Sequence, residues 1–147
     1  MRLAATVVLL VVLAAAPAGA APRQKYNWDD LGTEFCRLTL MGDLPGLRPL
    51  LSDQLAADIS AAAASPAFPP ARILFQTYTN AVSVCQAVTR NAAIVEIRRS
   101  QPGGAGWSEY LVVVPAMDGT TRIDDVLFAT RRSDTLRARL AAYAGAR

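Results

Sequence analysis

The spacing of apolar and polar positions changes twice along this chain, and the changes mark out its elements. Trp28, Leu31, Phe35 and Leu38 recur at three- and four-residue intervals, the stripe of an amphipathic helix ending at Met41. Asn27 is placed to cap it, Asp29 and Asp30 put acid in its first turn, Tyr26 and Leu31 can form a hydrophobic staple, and Gly42 is the stop. Asp43 to Ser65 reads as further, broken helix. Pro45 suits a first turn, and Ser52 can cap a segment running through Leu55 and Ile59 into a run of alanines. The stretch SPAFPPA, 65–71, cannot continue a helix and reads as a linker rather than a docking segment.

From Arg72 the period shortens. Ile73 to Thr79 fits either a strand or a last helical turn. Ala81 to Val88 reads as a strand, Thr89-Arg90-Asn91 as a turn, and Ala92 to Arg99 as a second strand, with Ala93, Val95 and Ile97 on one face and Glu96 and Arg98 on the other. QPGGAG, 101–106, is a loop. The clearest pattern follows: Leu111 to Val114, the turn dipeptide Asp118-Gly119, and Ile123 to Phe128 form a hairpin. If Met117 and Thr120 flank a two-residue loop, Val113 lies opposite Asp124 and Val112 opposite Asp125. Ser133 then caps a terminal helix with the stripe Leu136, Leu140 and Tyr143, while Arg137 and Arg139 face outward. The expected fold is α+β: N-terminal helices packed on a curved four-stranded antiparallel meander, with a short C-terminal helix.

The first twenty residues change how the chain is divided. Arg2, the apolar run from Leu3 to Ala16, and Ala18-Gly19-Ala20 form a signal peptide with cleavage after Ala20; an uncleaved anchor is the alternative. Residues 21–26 are a polar leader and 27–147 a single domain, with no room for two. Richness in Ala, Arg, Gly and Pro, with Lys25 as the sole lysine, suggests a GC-rich bacterial source, so the destination is periplasmic or secreted. In that compartment Cys36 and Cys85 read as a disulfide, since only one pairing exists. The formal charge of +3 argues neither for nor against an anionic partner.

The closing segment Arg122-Ile123-Asp124-Asp125-Val126-Leu127-Phe128, followed by Ser133, Leu136 and Leu140, resembles the end of small exported bacterial proteins of the nuclear-transport-factor-2-like, cone-shaped superfamily. The LMGDLPGLRPLLSD stretch resembles their paired N-terminal helices, although Arg122 stands where they often carry an aromatic. The resemblance implies a long helix across a curved sheet enclosing a pocket, and a homodimer through the outer sheet face, where Val112 and Val114 would lie. It implies no single chemistry.

Candidate chemistry is sparse. Neighbouring strand residues point to opposite faces, so at most one of Asp124 and Asp125 looks into a pocket, as a general base with Tyr110 or Tyr78 as oxyanion donor. Glu96, Arg98 and Glu109 read as cross-strand pairs on the wet face. With no histidine and no G-x-S-x-G, no nucleophile is indicated, and no metal or cofactor is expected. Arg131, Arg132, Arg137, Arg139 and Arg147 make the C-terminal end basic; without interleaved aromatics this does not point to nucleic acid. The leading expectation is an exported, non-catalytic module that binds a small apolar ligand or an envelope protein between the first helix and the sheet, with Trp28, Phe35, Tyr78 and Tyr110 as candidate contacts and no membrane association after cleavage. The alternatives are an isomerase- or dehydratase-like enzyme, and an inhibitor or immunity protein acting through an exposed loop such as Gln101 to Gly106.

Overall fold

The computed structural model describes residues 28–69, 84–128 and 133–144. Residues 1–27, where the signal peptide, the leader and the Asn27 cap are expected, lie outside the described residues, as do Tyr78, the Ile73 to Thr79 segment and Arg131, Arg132 and Arg147. Helix α1 spans Trp28–Met41 and ends at Gly42, whose φ of +67° suits a residue without a Cβ. A short helix α2, Leu44–Leu47, is capped by the Asp43 carboxylate, which accepts from the Gly46 amide at 2.9 Å. A 3-10 turn, Arg48–Leu50, leads into α3, Asp53–Ala63, whose cap is Ser52 as its sequence indicates.

Four strands follow: β1 Val84–Asn91, β2 Ile94–Ser100, β3 Trp107–Pro115 and β4 Thr121–Phe128. They form an open antiparallel sheet in the order β1-β2-β3-β4. Helix α4, Leu136–Ala144, closes the described chain. This is the α+β layout expected, with helices over one face of a meander. Leu31, Phe35, Leu38, Leu55 and Ile59 from the helices meet Val95, Ile97, Leu111, Val113, Ile123 and Val126 from the sheet in one core. The disulfide Cys36–Cys85, with a Cα–Cα distance of 5.5 Å, joins α1 to β1.

Three details differ from the sequence pattern. The first strand runs through Thr89-Arg90-Asn91 and turns at Ala92-Ala93, because the Asn91 side chain accepts the Ala93 amide at 2.8 Å and so makes the turn one step later. The β3-β4 loop is longer than two residues. Ala116 and Thr120 close it, and Gly119 takes the left-handed position at φ +74°, the three-residue form of hairpin. Pro115 therefore faces Thr121 and Val113 faces Ile123; a bulge at Asp124 then restores Val112 opposite Asp125. Finally, α4 begins at Leu136 rather than after Ser133, with Thr135 Oγ1 accepting from the Ala138 amide at 3.2 Å.

Beside β4 the sheet edge is covered twice. Leu51 bridges Ile123 in parallel, with the Ser52 amide donating to the Ile123 carbonyl at 2.8 Å, and Thr135 bridges Leu127 in antiparallel. An edge occupied in this way, and bulged as well, is closed to strand addition.

Candidate functional site

The bulge decides what the two aspartates do. Strict alternation would send them to opposite faces; the inserted residue turns both toward the covered edge, where they converge on Arg137. Asp124 accepts from the Ser52 hydroxyl at 2.7 Å and from Arg137 Nη1 at 3.3 Å, while Asp125 accepts the Arg137 backbone amide at 3.1 Å. Arg137 also donates to Asp58 of α3 at 3.0 Å. The aspartates thus join α3, β4 and α4. Arg137 does not face outward as its position in the helix suggests, and neither does Arg139. Arg139 donates to Asp134 at 2.6 and 2.8 Å and lies 3.7 Å over the Phe128 ring.

Tyr110 is not brought to these carboxylates. It lies half-buried in β3, opposite Glu96 on one side and Leu127 on the other. Of the other candidate contacts, Phe35 is buried in the core and Trp28 is 38% exposed at the start of α1.

The space between α1 and the sheet is filled. A Cβ on Gly32 would stand 2.6 Å from the Ala87 Cβ and 2.8 Å from a Val95 methyl, so the helix backbone rests directly on β1 and β2. Glu109 is found here rather than on the wet face, because the inward set of β3 is the odd-numbered one: Glu109, Leu111 and Val113. Arg99 donates through Nε to Glu109 and through Nη2 to the Thr39 hydroxyl of α1 at 3.0 Å, and its guanidinium lies 5.8 Å from the Phe35 ring centre. Both side chains are at most 3% exposed. Burial pushes the Glu109 carboxyl above the usual carboxylate range, and the charges of Arg99 and Arg139 counteract it only in part. The sequence hides this pair, because two charges ten positions from one another in a hairpin look like surface neighbours.

Glu96 occupies the opposite face. Ser108 donates to it at 2.7 Å, Arg98 approaches at 3.2 Å and Arg90 also donates, so the side chain is 7% exposed although no helix covers it among the described residues. The Ser108 hydroxyl first, then the two arginines, hold its pKa at about 2.

Among the described residues, two concavities lie on the surface. A cleft of about 770 Å³ lies between the α2 and 3-10 segment and the β3-β4 hairpin. Leu51 and Val114 are among its lining residues, with Pro45, Pro49 and Pro115 as stiff walls and Met117, fully exposed at the hairpin tip, at its rim. Arg122 ties the two sides together: it donates to the Pro49 carbonyl and to Asp118 at 3.1 Å. A second concavity, of about 270 Å³, lies across β1, β2 and β3 near the Gln101 to Gly106 loop. Among the described residues no group of acids and cysteines is arranged to hold a metal, and no helix is long and apolar enough to cross a membrane.

Compared with known proteins, the chain matches no family model, no curated protein and no solved structure.

Proposed function

We propose that this is an exported, non-catalytic binding module on a helix-over-meander scaffold like that of the cone-shaped superfamily, acting in the periplasm or outside the cell. It takes its small apolar ligand or envelope protein partner in the cleft between the α2 and 3-10 segment and the β3-β4 hairpin. The observation that carries this reading is the filled interior under α1, where Gly32 has no room for a methyl group, which leaves recognition to the surface. The cleft volume is in the range of ligand sites, and its proline walls are rigid before binding. The disulfide supports an oxidising compartment. The aspartates support a non-catalytic role, since both are engaged in joining elements.

The test is thermal shift across metabolite pools together with affinity capture from envelope extract, using the intact oxidised chain and a Met117→Asp, Arg48→Glu double variant. Binding by the native chain that the double variant loses, with its melting temperature unchanged, is the expected result. Binding that survives the double variant places recognition elsewhere, and silence of the native chain in both assays overturns the reading.

A further inference from the structure

The chemistry of the cleft walls narrows the class of ligand taken there, an inference that rests on the cleft being the binding site. Pro45, Arg48 and Pro49 line one wall. They stand at i, i+3 and i+4 along the helical turns from Leu44 to Leu50 and so share a face, while Leu47 and Leu50 go to the core at 2% and 1% exposure. The hairpin supplies the facing wall through Val114 and its cross-strand partner Arg122, whose guanidinium reaches the Pro49 carbonyl. Arg48 therefore belongs to the side of the helical segment that the hairpin faces.

Most polar groups of these walls are already engaged. The prolines have no N–H to offer. The amides of Leu51, Ser52 and Ala116 donate to backbone carbonyls. The Ser52 hydroxyl caps α3 and holds Asp124, and the Asp118 carboxylate accepts from Thr120 and Arg122. Asp53 stands exposed in the first turn of α3, where the positive end of the helix offsets its charge. Arg48 differs from all of these: it is exposed, and among the described residues its guanidinium has neither a hydrogen bond nor an ion pair.

A peptide, nucleoside or sugar would bring several polar groups into this space and leave them stripped of water without partners, at a cost in affinity. A ligand that is polar at one end alone avoids that loss. Its apolar remainder meets Leu51, Val114 and the adaptable thioether of Met117 at the rim. Its polar end is anionic, because the unmatched charge in the cleft is that of Arg48 and a guanidinium binds a carboxylate through paired N–H donors.

We propose that the cleft takes an alkyl carboxylate, a fatty acid, with its carboxylate on Arg48 and its chain laid between the proline wall and Val114.

The probes are octanoate, 1-octanol and N-acetyl-leucyl-leucine, titrated calorimetrically at neutral pH into the oxidised full chain and into its Arg48→Gln, Arg48→Lys and Met117→Asp variants. Both positions are exposed, so these replacements do not disturb the core. The native chain is expected to bind octanoate about fivefold more tightly than 1-octanol, the gain that a charge contact at an exposed site supplies. Arg48→Gln removes the preference and leaves the Kd of 1-octanol unchanged, Arg48→Lys keeps most of it, and Met117→Asp weakens both ligands. No binding of octanoate, equal affinity for octanoate and 1-octanol, a preference that survives Arg48→Gln, or tighter binding of the peptide overturns the proposal. Equal affinities that Met117→Asp still lowers overturn the carboxylate alone and leave the cleft as the binding site, which separates this test from that of the cleft.

Discussion

A buried guanidinium needs partners, and Arg99 has three: the Glu109 carboxylate, the Thr39 hydroxyl and the face of Phe35. Removing one member of such a pair strands the other charge out of water. Arg99→Met, which leaves Glu109 buried without its cation, is expected to lower stability by about 3–5 kcal/mol in urea denaturation, and the Arg99→Met, Glu109→Leu pair to recover much of that loss. Thr39→Val removes the hydroxyl that accepts from Arg99 and donates to the Cys36 carbonyl at 3.2 Å, and is expected to cost about 1–3 kcal/mol. The two glutamates respond to pH in opposite senses. Glu96 has a folded pKa of about 2, below its ordinary 4.5, so its contribution is present above pH 4.5 and is lost as pH falls toward 2. Glu109 is raised, so its contribution is present at acid pH and fades as pH climbs through its folded value. Glu96→Gln is therefore expected to lower the melting temperature at neutral pH and to converge with the native chain near pH 2; a gap that persists undiminished at pH 2 contradicts the assignment.

Between elements, the joint of α3, β4 and α4 at Ser52, Asp124 and Arg137 acts where the sheet would otherwise end. Ser52 serves twice, accepting from the Leu55 amide at 3.1 Å as the α3 cap and donating to Asp124. Ser52→Ala is expected to cost about 1–2 kcal/mol, and a double-mutant cycle with Asp124→Asn to show coupling of about 0.5 kcal/mol or more. Zero coupling would mean that the hydroxyl only caps the helix. The elements themselves were legible in the sequence, because helix stripes, the Ser52 cap, the Pro45 start and the Asp118-Gly119 turn are local signals. The joint was not. A bulge depends on the pairing between strands, and alternation alone assigns Asp124 and Asp125 to opposite faces. Glu109 escaped for a related reason: β3 reads as apolar on both faces from Leu111 to Val114, so nothing local says which face is buried, and its burial follows from the Arg99 it meets across the sheet. The larger cleft was equally hidden, since it gathers residues from distant parts of the chain.

At the scale of the whole molecule, α1 is fastened to the sheet by packing through Gly32, by Thr39 and Arg99, and by the disulfide. Closing a loop of 49 residues' separation removes denatured-state entropy worth about 4 kcal/mol in the chain-entropy model. Reduction with dithiothreitol is accordingly expected to lower stability by roughly that amount, and an unchanged urea midpoint would mean that the bond constrains little. The functional account rests on the same fastening, because a filled space under α1 sends recognition to the surface. Xenon enters apolar cavities that lack water, so crystals of the oxidised protein pressurised with xenon test this most directly. The account predicts no xenon among Phe35, Val95 and Leu111; a xenon atom bound there would contradict it and restore an interior ligand site.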